Sequence, residues 1–166
     1  MLTIIEALVE EHRQFCALFD QIQPALPAAK SAREVQALAR RIEALLRAHA
    51  AAEEDLVLMV LENAAGAQPR CRRLYSDHQE IDVRLTDVFK VTEAARAAAL
   101  LREAMRRSRR HFKHEEDVVF PLIEEVSGRD NLARWGAIWA HRRESLAAVP
   151  QQLLSSTMAL LSPVAS

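Results

Sequence analysis

Apolar residues recur every three or four positions along most of this chain, the period of a helix with one buried face. Ile5, Leu8, His12, Phe15, Phe19 and Ile22 form the first such face, and Pro24 stops it. After "QPALPAAK", Ser31 with Glu34 three residues on reads as a capping box opening a second helix. Its stripe is Leu38, Ile42, Leu45, His49, Glu53, Leu56 and Val60, ending near Gly66 and Pro69. A third helix is expected after Pro69, with Leu74, His78, Ile81, Leu85 and Val88 in line. An unbroken helix from 70 to 126 is too long for a compact domain, so a tight turn is expected between Phe89 and Glu93, with Thr92 as the next N-cap. The fourth stripe is Ala97, Leu101, Ala104, Ser108, His111, Glu115, Val118 and Leu122. "SGRDN" ends it, and a shorter helix over about 130–148 carries Leu132, Trp135, Ile138 and Leu146. The expected organisation is one helical domain over 1–149, with its bundle core at about 1–126 and a fifth helix. Residues 150–166 form a tail that offers at most a short packing helix.

Composition agrees with an all-α domain. Half of the 166 residues are hydrophobic, yet only 3 are Gly and 5% are aromatic. Lys and Arg number 22 against 23 Asp and Glu, a net charge of −1, so no global field attracts nucleic acid or an acidic membrane. The opening "MLTIIEALVEEH" has no basic region before its apolar residues, and no run approaches a membrane span. Two cysteines, Cys16 and Cys71, make no disulfide framework and suit a reducing compartment, so a cytoplasmic location is expected.

The histidines change the picture. His12, His49, His78 and His111 each lie on the apolar stripe of a different helix, and Glu53 and Glu115 follow one turn beyond His49 and His111. Residues four apart share a helix face, so each His-x-x-x-Glu pair offers a nitrogen and a carboxylate to one small volume. Four antiparallel helices would turn all six groups inward. A lone His-x-x-x-Glu is weak evidence; register is stronger. A shift of 62 carries His49 onto His111, Glu53 onto Glu115 and "EED" onto "EED", and a shift of 66 carries "EH" at His12 onto "DH" at His78. The chain reads as two copies of a helix pair, whose pseudo-twofold relation would present a paired metal site. Two buried carboxylates without partners would force one to take a proton, whereas a pair of cations neutralises both. Imidazole with carboxylate suits iron, with manganese or zinc as alternatives, and the repeated pattern contains no thiolate.

In this order and spacing, His12, "HAAAEE" from His49, His78 and "HFKHEEDVVFPLIEE" from His111 resemble the hemerythrin-like (HHE cation-binding) domains over about residues 1–126. The resemblance implies an up-down-up-down four-helix bundle with a non-haem, oxo- or hydroxo-bridged di-iron centre. His12, His49, His78 and His111 would be terminal ligands, and Glu53 and Glu115 bridging carboxylates. Pro121 is expected to delete the amide bond to the Asp117 carbonyl and kink the fourth helix. Two departures stand out. Oxygen-carrying members have a fifth histidine where this chain has Asp82, and their spacing would select Glu116 over Glu115; the internal repeat favours Glu115, and both readings stay open. Six ligands leave open positions on the metals, which points from simple oxygen carriage toward chemistry with oxygen, peroxide or nitric oxide.

The expected function is therefore a di-iron protein that binds or senses oxygen, nitric oxide or peroxide, or handles iron. The alternatives are a di-iron redox enzyme acting on peroxide, oxygen or nitrogen oxides, and a structural bundle holding zinc or manganese. The sequence supplies no dedicated acid, base or organic-substrate pocket, so enzymatic activity is left undecided. Expected partners are a small diatomic ligand or peroxide and an unidentified protein partner or electron donor, with homodimerisation allowed. His114 and His141 fall off the stripes as surface or outer groups, Cys16 reads as a small core residue, Cys71 as an ordinary thiol, and the arginines of "LREAMRRSRRHFK" as a solvated face.

Overall fold

Thr3 begins the architecture. Its hydroxyl accepts the Glu6 amide and the Glu6 carboxylate accepts the Thr3 amide at 2.7 Å, a reciprocal cap that starts α1 (Ile4–Ile22). The computed structural model describes residues 2–55, 61 and 68–147, with side chains in the last stretch over 72–142. Every residue of the expected first face is buried. A 3₁₀ turn at Leu26–Ala28 leads to α2 (Ala32–Glu53), where Ser31 accepts the Glu34 amide while Glu34 takes the Lys30 amide, one residue earlier than a full capping box. Leu56, Val60 and Gly66 lie outside the described residues. Next comes α3 (Gln68–Phe89), which starts before Pro69 and holds that proline in its first turn, where a missing amide leaves no bond unmade.

The turn between Phe89 and Glu93 is present, but α4 (Ala94–His114) is capped by Glu93, without a side-chain bond, rather than by Thr92. From Glu115 to Val119 the backbone widens into a π turn, whose Phe120 amide bonds the Glu115 carbonyl, and α5 (Phe120–Ser127) follows. The expected kink at Asp117 is thus replaced: Pro121 sits in the first turn of a restarted helix. One extra residue in the turn shifts the buried stripe. Val118 is 37% exposed, while Val119 and Ile123 are fully buried, which corrects the even spacing expected through Val118 and Leu122. Gly128, at φ 70°, ends α5, a backbone conformation that favours glycine.

Cross-helix pairs fix the directions. Glu80 with Arg107 and Asp77 with His111 make α3 and α4 antiparallel. Asp20 with Arg109 and His12 with Glu116 do the same for α1 against α4, and Arg47 with Asp82 and Glu54 with His78 for α2 against α3. The result is an up-down-up-down four-helix bundle without strands among the described residues. Its apolar interior has two parts. One is built on Phe15, Phe19, Leu38, Ile42, Leu85, Leu101 and Met105, the other on Ile4, Leu8, Leu61, Leu74, Phe120 and Ile123. His12, His49, Glu53, His111 and Glu115 are buried with them.

The additional helix, α6 (Arg129–Ala147), packs along α1. Leu132 and Trp139 are its buried contacts; Ile138, expected inside, is 45% exposed, and the side chain of Leu146 lies outside the described residues. Gly136 lets the two backbones meet, since a Cβ there would collide with the Leu2 carbonyl oxygen and stand 2.9 Å from the Thr3 carbonyl carbon. No helix among the described residues is long and apolar enough to cross a membrane. Gly136→Ala is expected to destabilise the fold by about 1–3 kcal/mol, because a methyl group forced against backbone cannot be absorbed by a rotamer change. Urea unfolding measures it; an unchanged midpoint would mean that α6 and the start of α1 do not meet this closely.

Candidate metal centre

The six groups singled out by register converge. The candidate donors of His12, His49, Glu53 and Glu115 lie within 4.8 Å of one another, and so do those of Glu53, His78, His111 and Glu115. The two sets share both carboxylates. All four imidazoles aim Nε2 inward: those of His12 and His49 approach to 3.0 Å, and those of His78 and His111 to 2.9 Å. Each carboxylate spans the two sets. Glu53 turns Oε1 to His49 at 3.1 Å and Oε2 to His78 at 3.4 Å, while Glu115 turns Oε2 to His12 at 3.4 Å and Oε1 to His111 at 3.3 Å. One oxygen toward each histidine pair is the arrangement of a carboxylate that bridges two cations.

The outer nitrogens explain why Nε2 is free to face inward. His12 Nδ1 lies 2.9 Å from Glu116, and His49 Nδ1 lies 2.9 Å from Glu11. An ionised carboxylate accepts and cannot donate, so Nδ1 carries a proton and, in the neutral ring that a metal would meet, Nε2 keeps its lone pair. Glu54 stands 3.5 Å from His78 Nδ1, and Asp77 stands 3.7 Å from His111 Nδ1. All four imidazoles thus have an acid behind them: hydrogen bonds fix the rings of His12 and His49, while Glu54 and Asp77 stand at ion-pair distance from His78 and His111, whose Nδ1 atoms make no hydrogen bond among the described residues. Of these acids the chain singles out only Glu116, as an alternative ligand, yet a signal is there for all four. Glu11 and Asp77 are the first letters of the repeated "EH" and "DH", and Glu54 and Glu116 are the second letters of the repeated "EED". The pseudo-twofold that exchanges His12 with His78 also exchanges their acids.

Both carboxylate ligand candidates leave the helix where it widens. Glu115 opens the π turn in α4, and π geometry also begins at Glu54, directly after Glu53. Glu115 therefore enters the cluster, while Glu116, 39% exposed, goes to His12 Nδ1. Asp82 is half exposed and pairs with Arg47 at 3.9 Å instead of joining the cluster. His114 and His141 stay outside it. Cys16 is partly buried against the core, where burial pushes its thiol up. The side chain of Cys71 lies outside the described residues. In the arginine-rich stretch, Arg106 and Arg107 pair with Glu103, Arg107 also with Glu80, and Arg109 with Asp20.

A cation fits this arrangement on electrostatic grounds. Glu53 Oε1 and Oε2 and Glu115 Oε2 are buried without a hydrogen-bond donor among the described residues. Unpaired, a buried charge of this kind costs several kcal/mol. Protons are the competing remedy. Burial, then the charge on Glu53, push Glu115 well above the usual carboxylate range. Burial would lower His49, but Glu53 and Glu11 outweigh it and hold the imidazole up at about 9. Bound cations would displace these protons and satisfy the same lone pairs.

Beside the cluster, between α2 and α3, lies a cavity of about 210 Å³ that reaches His49, His78 and His111. Leu46, Ile81 and Phe112 contribute apolar wall, and Arg47 and Asp82 also border it.

Against known families, the model of the hemerythrin HHE cation binding domain matches residues 3–123, well over half of the chain. No curated protein and no solved structure gave a significant match.

Glu11→Gln and Asp77→Asn, which occupy corresponding places behind His49 and His111, are each expected to weaken metal binding by about 10–100-fold while leaving helicity intact. Competition against a chromophoric chelator measures this. Equal affinity in wild type and both variants would remove the outer acids from any role at the metal.

Proposed function

Because the chain belongs to the hemerythrin HHE cation-binding domain family, we propose that it is a non-haem di-iron protein that binds or senses oxygen, nitric oxide or peroxide. The observation that carries this reading is the pair of four-donor sets sharing Glu53 and Glu115. His12 and His49 would hold one iron, His78 and His111 the other, and the two carboxylates both. Imidazole and carboxylate without thiolate suit iron, with manganese or zinc as the competing occupants. Iron would supply open coordination positions and reversible change of oxidation state.

The chain's own residues do the remaining work. Glu116 and Glu11 orient the imidazoles of His12 and His49 by hydrogen bonds, Glu54 and Asp77 lie behind the other two, and Phe112 and Phe120 keep water from the His12 side by stacking on its ring at 4.2 and 5.6 Å. Four protein donors per iron leave positions for an exogenous ligand, and the cavity lies where one would approach. Leu46, Ile81 and Phe112 give it apolar wall that suits a small uncharged ligand, the reading we favour over turnover of an organic substrate. Sensing would be read by a separate protein partner or by a second copy, and a cytoplasmic setting suits a chain with two cysteines and no disulfide framework.

Protein loaded anaerobically with ferrous iron is expected to hold about two iron ions per chain, as the bundle precedent for di-iron centres suggests, and Glu53→Ala and Glu115→Ala each to lose at least one. Mixing reduced protein with oxygen in a stopped-flow spectrometer should give a spectral change that reverses when oxygen is removed. Stoichiometric zinc with refusal of iron would overturn the reading. Sustained consumption of a reductant would move the protein to the enzyme class.

A further inference from the structure

The internal repeat allows the two halves of the cluster to be compared position by position, and one of the places where they differ lies directly after a ligand histidine. The shift that carries His49 onto His111 carries Ala50 onto Phe112. Phe112 is buried, and its ring lies nearly parallel to that of His12, at 15°. Phe15 packs behind it at 5.6 Å. His12 is accordingly 1% exposed. His78, its counterpart, has the methyl group of Ala50 where the repeat would put a phenyl ring, and it is 12% exposed. The cavity borders both Ala50 and His78.

We propose that Ala50 keeps one side of the centre open: small uncharged ligands reach His49, His78 and His111 through the cavity between α2 and α3, while Phe112 closes the His12 side. The proposal rests on the di-iron reading for what the ligand meets, and on the cavity alone for how it enters. Ligand class follows from the lining. Leu46 and Ile81 are apolar and buried, and of the charged groups at the border Arg47 pairs with Asp82 while Glu54 faces His78 Nδ1, so nothing draws in an anion. A molecule of two or three heavy atoms without net charge suits such a passage. Asp82 belongs to the same device. One turn beyond His78, it extends to Arg47 across the helix gap instead of filling the space beside the imidazole.

The test is a volume series at Ala50. In reduced, iron-loaded protein, Ala50→Val, Ala50→Leu and Ala50→Phe should slow nitric oxide association progressively, by about tenfold or more at the largest side chain, with iron content unchanged. Dissolved xenon followed by NMR reads the same cavity without iron: its protein-dependent shift should shrink along the same series. The smaller variants keep the test informative if Ala50→Phe fails to fold. Nitric oxide rates and xenon shifts that stay constant through Ala50→Leu would overturn the proposal. Failure of the wild-type chain to take up iron would instead sink the di-iron reading, and the xenon series would still decide whether Ala50 controls entry.

Discussion

Two carboxylates held out of water between four imidazole rings are the constraint on which this molecule turns. Glu53 and Glu115 are each 2% exposed, and three of their four oxygens find no hydrogen-bond donor among the described residues. A bundle interior cannot tolerate that arrangement uncompensated; either protons or cations must enter. Apolar layers built from Phe15, Phe19 and Ile42 on one hand and Leu8, Leu74 and Ile123 on the other hold the groups where they are. Packing fixes the geometry and charge selects the occupant. The match to the hemerythrin HHE cation-binding domain and the paired donor sets meet at this point from independent directions.

Duplication gives the site its economy. One helix pair supplies a histidine preceded by an acid, then His-x-x-x-Glu followed by a second acid, and a second pair repeats it. Antiparallel alternation brings the acid after each glutamate behind the lone histidine across the bundle, Glu116 to His12 and Glu54 to His78. The acids preceding the lone histidines serve the other two, Glu11 to His49 and Asp77 to His111. π geometry begins at Glu115 in one copy and directly after Glu53 in the other, so adjacent acids on one helix can face different ways.

The copies are not equivalent, and the inequality has structural consequences. Phe112 and Phe120 sandwich His12 in aromatic surface, a contact that contributes about 0.5–1.5 kcal/mol per ring pair beyond area burial. Around His78 the same scaffold leaves space. A symmetric pair of donor sets is thereby covered at His12 and bordered by a cavity at His49, His78 and His111, with no change in the candidate ligands.

Much of the fold was legible in the chain because helical period is local. The faces through Phe15, Ile42, Leu85 and Leu101 emerge from spacing, and so does the bundle. The convergence of His12, His49, Glu53, His78, His111 and Glu115 was legible because a repeat preserves register. What the chain did not disclose depends on neighbours distant in sequence or on backbone departures from the α period. Val119 replaces Val118 in the core because a π turn inserts a residue, Trp139 replaces Ile138 because α6 meets α1 at Gly136, and Glu93 displaces Thr92 as the cap. The sequence by itself determined the helices and the inward register of six polar groups, since those follow from residues three and four apart. Tertiary structure alone decided which acid backs which imidazole, which glutamate faces inward and where the cavity opens, since each is a distance between groups on different helices.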